Sequence, residues 1–167
     1  MSGVLCSFVG GSYGGRPEVG DAYQGGFFAG QINDGGTVYD LIVAPKSSGQ
    51  SEKVWMVPDV SVSGTSSTID GPSNTSAIVS FDSNFYIAAA FCDGLSIGGF
   101  TDWYLPAKDE LEVLYYNLKP TTTNNDTSSG TNTNAVPSRN SNYASQDPSQ
   151  TSVTIFQAGG SEAFDAA

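Results

Sequence analysis

The sequence predicts an α+β domain of short antiparallel strands, two main helices and long polar loops. Two apolar and β-branched runs flank a tight-turn signal, two segments carry helix-period apolar stripes, and Gly, Ser, Thr and Asn are abundant throughout. Only 14% of the 167 residues are charged, which suits a loop-rich domain better than a helical bundle. The length fits one domain with a core of its own.

Residues 1–20 mix glycine with Val4, Leu5, Phe8, Val9 and Tyr13 and read as an N-terminal arm or linker, docked on a neighbour rather than free. The domain proper then covers 21–167. Phe27–Ile32 and Thr37–Ala44, separated by Asn33-Asp34-Gly35-Gly36, form the expected β-hairpin. Gly25, Gly26 and Gly30 mark bulges or close backbone approaches. Val54–Val57 reads as a short strand ended by Pro58, and 59–80 as a polar surface excursion.

Ser83 is placed to cap a helix from Asn84 to Leu95, with Ile87, Ala88, Phe91, Cys92 and Leu95 on one stripe. A second helix over 107–118 follows Pro106, which presets its first turn. Its apolar face is expected at Leu111, Leu114, Tyr115 and Leu118, with Asp109 and Glu110 as dipole partners in the first turn and Asp109 and Glu112 on a solvated face. Both helices should pack on the sheet. Thr121–Asn142 lacks the apolar residues to fold alone and reads as a long loop. Asp147-Pro148 opens a last short helix through Phe156 and Gln157, closed by Gly159-Gly160.

The chemistry is sparse. There is no histidine, which removes the commonest general base and metal ligand. No phosphate-binding loop, nucleophile elbow or zinc pattern occurs, so the chain reads as a non-enzyme with no catalytic, cofactor or metal residues. A net charge of −11 disfavours nucleic acid and anionic membranes as partners. Clustered carboxylates leave calcium as an alternative, although no D-x-D-x-D-G loop is present. Cys6 and Cys92 belong to no C-x-x-C pair. Either they form a disulfide or Cys92 is a small buried hydrophobe. No stretch reads as a signal peptide or transmembrane helix.

One segment has a definite plan. Gly98-Gly99 allows a tight turn, Trp103 and Leu105 alternate as in a short strand, and Pro106-Ala107-Lys108-Asp109-Glu110-Leu111 opens the second helix. The run from Gly99 to Leu111 resembles the G-x-x-D-W-R-L-P-T-x-x-E-L signature of the DUF1566, or Lcl C-terminal, domain family. Matching positions are Gly99, Asp102, Trp103, Leu105, Pro106, Glu110 and Leu111; Tyr104 and Ala107 stand where Arg and Thr are commoner, which takes away a helix-capping Thr.

The resemblance implies a C-type-lectin-like fold in which these residues are structural and Trp103 is buried. It also implies a phage virion protein (a tail fibre, tail tip or capsid spike) that attaches to a host-surface glycan or protein and assembles as a homo-oligomer, for example a trimer. Export would then come from virion assembly in the host cytoplasm. The alternatives are a structural cement or adaptor protein without a host ligand, and a bacterial surface adhesin. Family members continue into two further strands beyond the segment like Gly159–Phe164; here they are expected to be cut away or supplied by a partner. In lectin-like folds long loops meet ligands, which nominates Asn124, Asn125, Asn132, Asn134, Arg139 and Tyr143.

Overall fold

The computed structural model describes residues 3–4, 6–10, 17–53, 60–122, 131–139 and 150–164. Its centre is the expected hairpin. β4 (Gly26–Asp34) and β5 (Thr37–Val43) pair antiparallel from Asp34–Thr37 to Phe27–Val43. The intervening Gly35 and Gly36 have φ of 56° and 98°, the left-handed geometry a two-residue hairpin turn requires. β2 (Ser7–Gly10) pairs with the free edge of β5 and β3 (Ala22–Tyr23) with β4, so the sheet order is β2-β5-β4-β3. A smaller ribbon joins β1 (Gly3–Val4) to β6 (Ser51–Glu52), just after the one-turn helix α1 (Lys46–Gly49). Part of the segment read as an arm thus lies in the chain's own sheets.

The long helices are α2 (Gly71–Asp82), α3 (Ile87–Asp93) and α4 (Lys108–Leu118). Alternation along β5 distributes them over two faces. Ile42 and Ala44 join Cys6, Phe28, Ala88, Cys92 and Trp103 on one side. Leu41 and Val43 join Ala29, Ile32, Val113, Leu114, Leu118, Ala135 and Phe156 on the other. The sheet is therefore a middle layer, between α3 with the Trp103 segment and α4 with a 3₁₀ turn at Thr154–Phe156. A bulge between Phe28 and Gly30 adjusts β4 to this arrangement. At Gly30 a Cβ would press on Val113 Cγ1 and Asn117 Nδ2, so the glycine lets α4 come close. Asn117 then donates to the Ala29 carbonyl at 2.7 Å.

Several expectations change. Residues 71–82 are helical, not a surface excursion: Asp70 caps the N-terminus by accepting from Ser73 N at 2.9 Å, with Pro72 in the first turn. Ser83 consequently follows α2 instead of starting the next helix, and α3 is shorter than 84–95 because residues 83–85 form a turn. Pro106 lies one residue outside α4, before the N-cap Ala107. Leu111 is 41% exposed while Leu114 and Leu118 are fully buried, so the inner face of α4 runs through Glu110, Val113, Leu114 and Leu118. Asp109 is buried and the Glu112 side chain only 13% exposed, so this pair does not lie on a solvated face; Glu110 is buried as well.

In the described part of 147–157, the helix is only the 3₁₀ turn, which Gly160 N closes on the Gln157 carbonyl. Cys6 and Cys92 form a disulfide with Cα atoms 5.4 Å apart, tying the start of β2 to α3. The strand expected at Val54–Val57 lies outside the described residues.

Candidate functional site

The segment with the sequence signature becomes a joint between helices. Gly98 and Gly99, at φ 62° and 87°, form a tight turn closed by reciprocal backbone bonds between Ile97 and Phe100. Trp103, 1% exposed, packs against the Cys6 side of the core and donates Nε1–H to the Phe100 carbonyl at 3.1 Å. Tyr104 exchanges backbone bonds with Ser7 at 2.9 and 3.0 Å, stitching this strand to β2. Leu105 is half-buried beside the same core, and its N–H donates to Thr75 Oγ1 of α2 at 3.1 Å. Asp102 is exposed.

Glu110 is the centre of the joint. Its Oε2 accepts from Ala107 N at 2.6 Å and from Gly71 N at 3.1 Å, while Tyr104 donates its hydroxyl to Oε1 at 2.9 Å. Gly71 and Ala107 open α2 and α4, so one carboxylate holds two helix N-termini, where the dipoles favour negative charge. Ala107 has no side-chain oxygen, and only the Glu110 half of a capping box can form. The missing half comes from elsewhere: the Thr68 carbonyl accepts from Asp109 N at 2.8 Å. Burial outweighs the three donated hydrogen bonds and raises the Glu110 pKa to about 7. Burial, then the adjoining Glu110 charge, lifts the Tyr104 hydroxyl well above its ordinary value.

The outer side of α4 carries the second half of the site. Asn132, 1% exposed, donates Nδ2–H to the Asp109 carbonyl at 2.9 Å. Its Oδ1 accepts from Asn134 N and Ala135 N at 3.1 and 2.9 Å. Asn134 donates to Asp109 Oδ2 at 2.9 Å, and its carbonyl accepts from Asn33 N at 2.7 Å. Thr68 Oγ1 completes the Asp109 carboxylate at 3.0 Å. Segment 131–139 is thereby clamped to α4 and to the hairpin end, and reciprocal Asn132–Arg139 backbone bonds fold it back on itself.

Arg139 lies over the Tyr116 ring, 4.0 Å from its centroid, and 3.9 Å from Glu112 Oε2. Burial pushes the Glu112 pKa up against the pull of Asn132 and Arg139. Tyr116 is 37% exposed, and Leu111 on the same helix is open as well.

Of the nominated loop residues, the structure brings Asn132, Asn134 and Arg139 together on α4. The first two are committed to internal hydrogen bonds, and Arg139, its side chain 13% exposed, is engaged by Glu112 and by the exposed Tyr116 ring. Asn124, Asn125 and Tyr143 lie outside the described residues. The role of Tyr116 beside Arg139 depends on a contact 23 positions away, which periodicity does not reveal. Thr68 and Gly71 carried no signal: Gly71 acts through its backbone N–H, and Thr68 reaches Asp109 with its carbonyl and its hydroxyl from 41 positions away. Among the described residues no three His, Cys, Asp or Glu side chains are grouped to hold a metal ion. Among them, too, no helix is long and apolar enough to cross a membrane.

No protein-family model, curated protein or solved structure matches this chain.

Proposed function

We propose that the chain is a phage virion protein, of a tail fibre, tail tip or capsid spike, whose C-type-lectin-like domain attaches the particle to the host surface. The observation that carries this reading is the clamping of 131–139 on α4, which fixes Arg139 over one face of the exposed Tyr116 ring. The part of the ring left open and the exposed edge of the guanidinium suit a sugar ring or a polar protein loop. The proposed mode is binding without catalysis. In support, Glu110 and Asp109 are buried and occupied by internal donors, so neither is offered to a substrate.

No cofactor is needed for this role. Display in several copies, as in a trimeric fibre, would raise avidity. The Cys6–Cys92 disulfide fits a protein that works outside a reducing cytosol. Pairing of Ser7–Gly10 with β5 also occupies backbone that a cement protein would offer to its neighbours.

The test is binding of the labelled protein to a panel of bacterial cells. One or more strains should bind it, and Tyr116→Ala with Arg139→Ala should weaken that binding at least about tenfold without unfolding the protein. Binding that the double variant leaves intact refutes the assignment of this face. Absence of binding across the panel, with the chain found inside purified particles, favours the cement reading.

A further inference from the structure

A second surface, at the junction of α2 and α3, has its own chemistry. Four large apolar side chains stand exposed around Tyr86: Val60 at 40%, Phe81 at 55%, Phe85 at 45% and Ile87 at 39%. Phe81, Phe85 and Ile87 lie at and between the adjoining ends of α2 and α3, and Val60 is tied to Tyr86 between them. The Tyr86 hydroxyl donates to the Val60 carbonyl, the Phe81 ring meets the Tyr86 ring edge-on at 6.0 Å, and Phe85 and Ile87 flank Tyr86 in the chain. Tyr86 itself is buried, so the patch rests on a fixed base. Exposed clusters of this kind mark contact surfaces in soluble proteins.

The two helices that carry the patch each end on a carboxylate. Between Lys53 and Lys108 the chain has no Lys or Arg. Asp82 ends α2 next to Phe81, and Asp93 ends α3. Neither helix has a basic residue in its last turn, so the negative ends of both dipoles lack a cation from their own helix. One cation already comes to this region from outside it: Lys53 Nζ lies 5.2 Å from the centre of the Phe91 ring, one turn beyond Ile87.

We infer that the Tyr86 patch docks a segment of another protein that carries both apolar and positively charged side chains. A second copy of this chain is a poorer occupant, because a shared two-fold contact would bring Asp82 and Asp93 toward their own counterparts. The inference is independent of the host-attachment role and places the surface that joins this protein to its neighbour at the junction of α2 and α3.

The experiment is titration of the whole chain with a synthetic amphipathic helical peptide of Leu and Lys, beside peptides in which Gln or Glu replaces Lys. The Leu/Lys peptide should bind at least about tenfold tighter than the Leu/Gln one, and less tightly as salt rises. Phe81→Ser with Phe85→Ser should weaken it at least about tenfold, and Phe85→Ser alone or Asp82→Asn by a smaller factor. Val38→Ser with Tyr39→Ser removes exposed apolar groups from the hairpin and should leave affinity unchanged, as should Tyr116→Ala with Arg139→Ala. Equal binding by the Phe81/Phe85 variant, or equal binding of the Leu/Gln peptide, overturns the inference. So does concentration-dependent self-association that the same variant abolishes, since the occupant would then be a second copy.

Discussion

At the scale of single residues, Glu110 has the largest physical consequence. Its pKa rises from an ordinary 4.5 to about 7 because the folded protein withdraws it from water. The folded state then holds a proton that the unfolded chain has released over this interval, so stability falls as pH rises from about 4.5 to about 7 and levels off above it. The fall attributable to Glu110 is about 3 kcal/mol. Glu110→Gln keeps an acceptor for Ala107 N and Gly71 N but cannot ionise. Urea unfolding between pH 5 and 8 should show a steep loss for the native protein and a flatter one for the variant; the difference isolates Glu110, since Glu112 acts in the same direction in both. Gly71→Ala tests the joint sterically. Its Cβ would meet both Glu110 Oε2 and the Tyr104 ring, so a loss of about 2 kcal/mol is expected by thermal or chemical unfolding.

At the scale of elements, α4 shows what the sequence made legible and what it hid. Its limits and the burial of Trp103 follow from apolar spacing and from the signature around Leu105. Its facing did not, because Leu111 and Leu114 are equally apolar and only the positions of the β4 bulge and Glu110 decide between them. Leu114→Ala should therefore cost about 3 kcal/mol, and Leu111→Ala less than about 0.5 kcal/mol, in matched denaturation curves. The hairpin was readable because its turn chemistry is local.

α2 was not. It buries only Gly71 and Thr75 and docks through Thr75 on Leu105 and Gly71 on Glu110, contacts that leave no apolar stripe. Asp70 and Pro72 were the available signs of its start. The loop residues Asn132 and Asn134 were legible as polar and hydrogen-bonding, while their partner Asp109 was hidden by its place in a helix start. Asn132→Ala strands two backbone donors and one carbonyl in a buried site and should lower stability by about 2 kcal/mol.

At the scale of the whole molecule, a small sheet separates two apolar layers, and one covalent bond crosses from its edge strand to α3. Cysteine spacing left that bond as one of two readings; the short Cα separation comes from the fold, which packs Cys6 and Cys92 into one cluster with Ile42 and Trp103. The Cys6–Cys92 bond closes a loop of 86 positions, for which chain entropy gives about 4.6 kcal/mol. Replacing both cysteines by Ala should lower the melting temperature clearly, and intact protein should show no reaction with a thiol reagent until it is unfolded and reduced.

The account of function rests on one structural claim, that 131–139 is a fixed part of a binding face and not a free loop. Amide hydrogen exchange of the unliganded protein tests it directly. The N–H groups of Asn132, Ala135 and Arg139, each hydrogen-bonded, should exchange slowly, on a par with the β4–β5 hairpin, and Asn132→Ala should release them together. Exchange of all three at unfolded-chain rates in the native protein would contradict the claim, and with it the surface built from Arg139 and Tyr116.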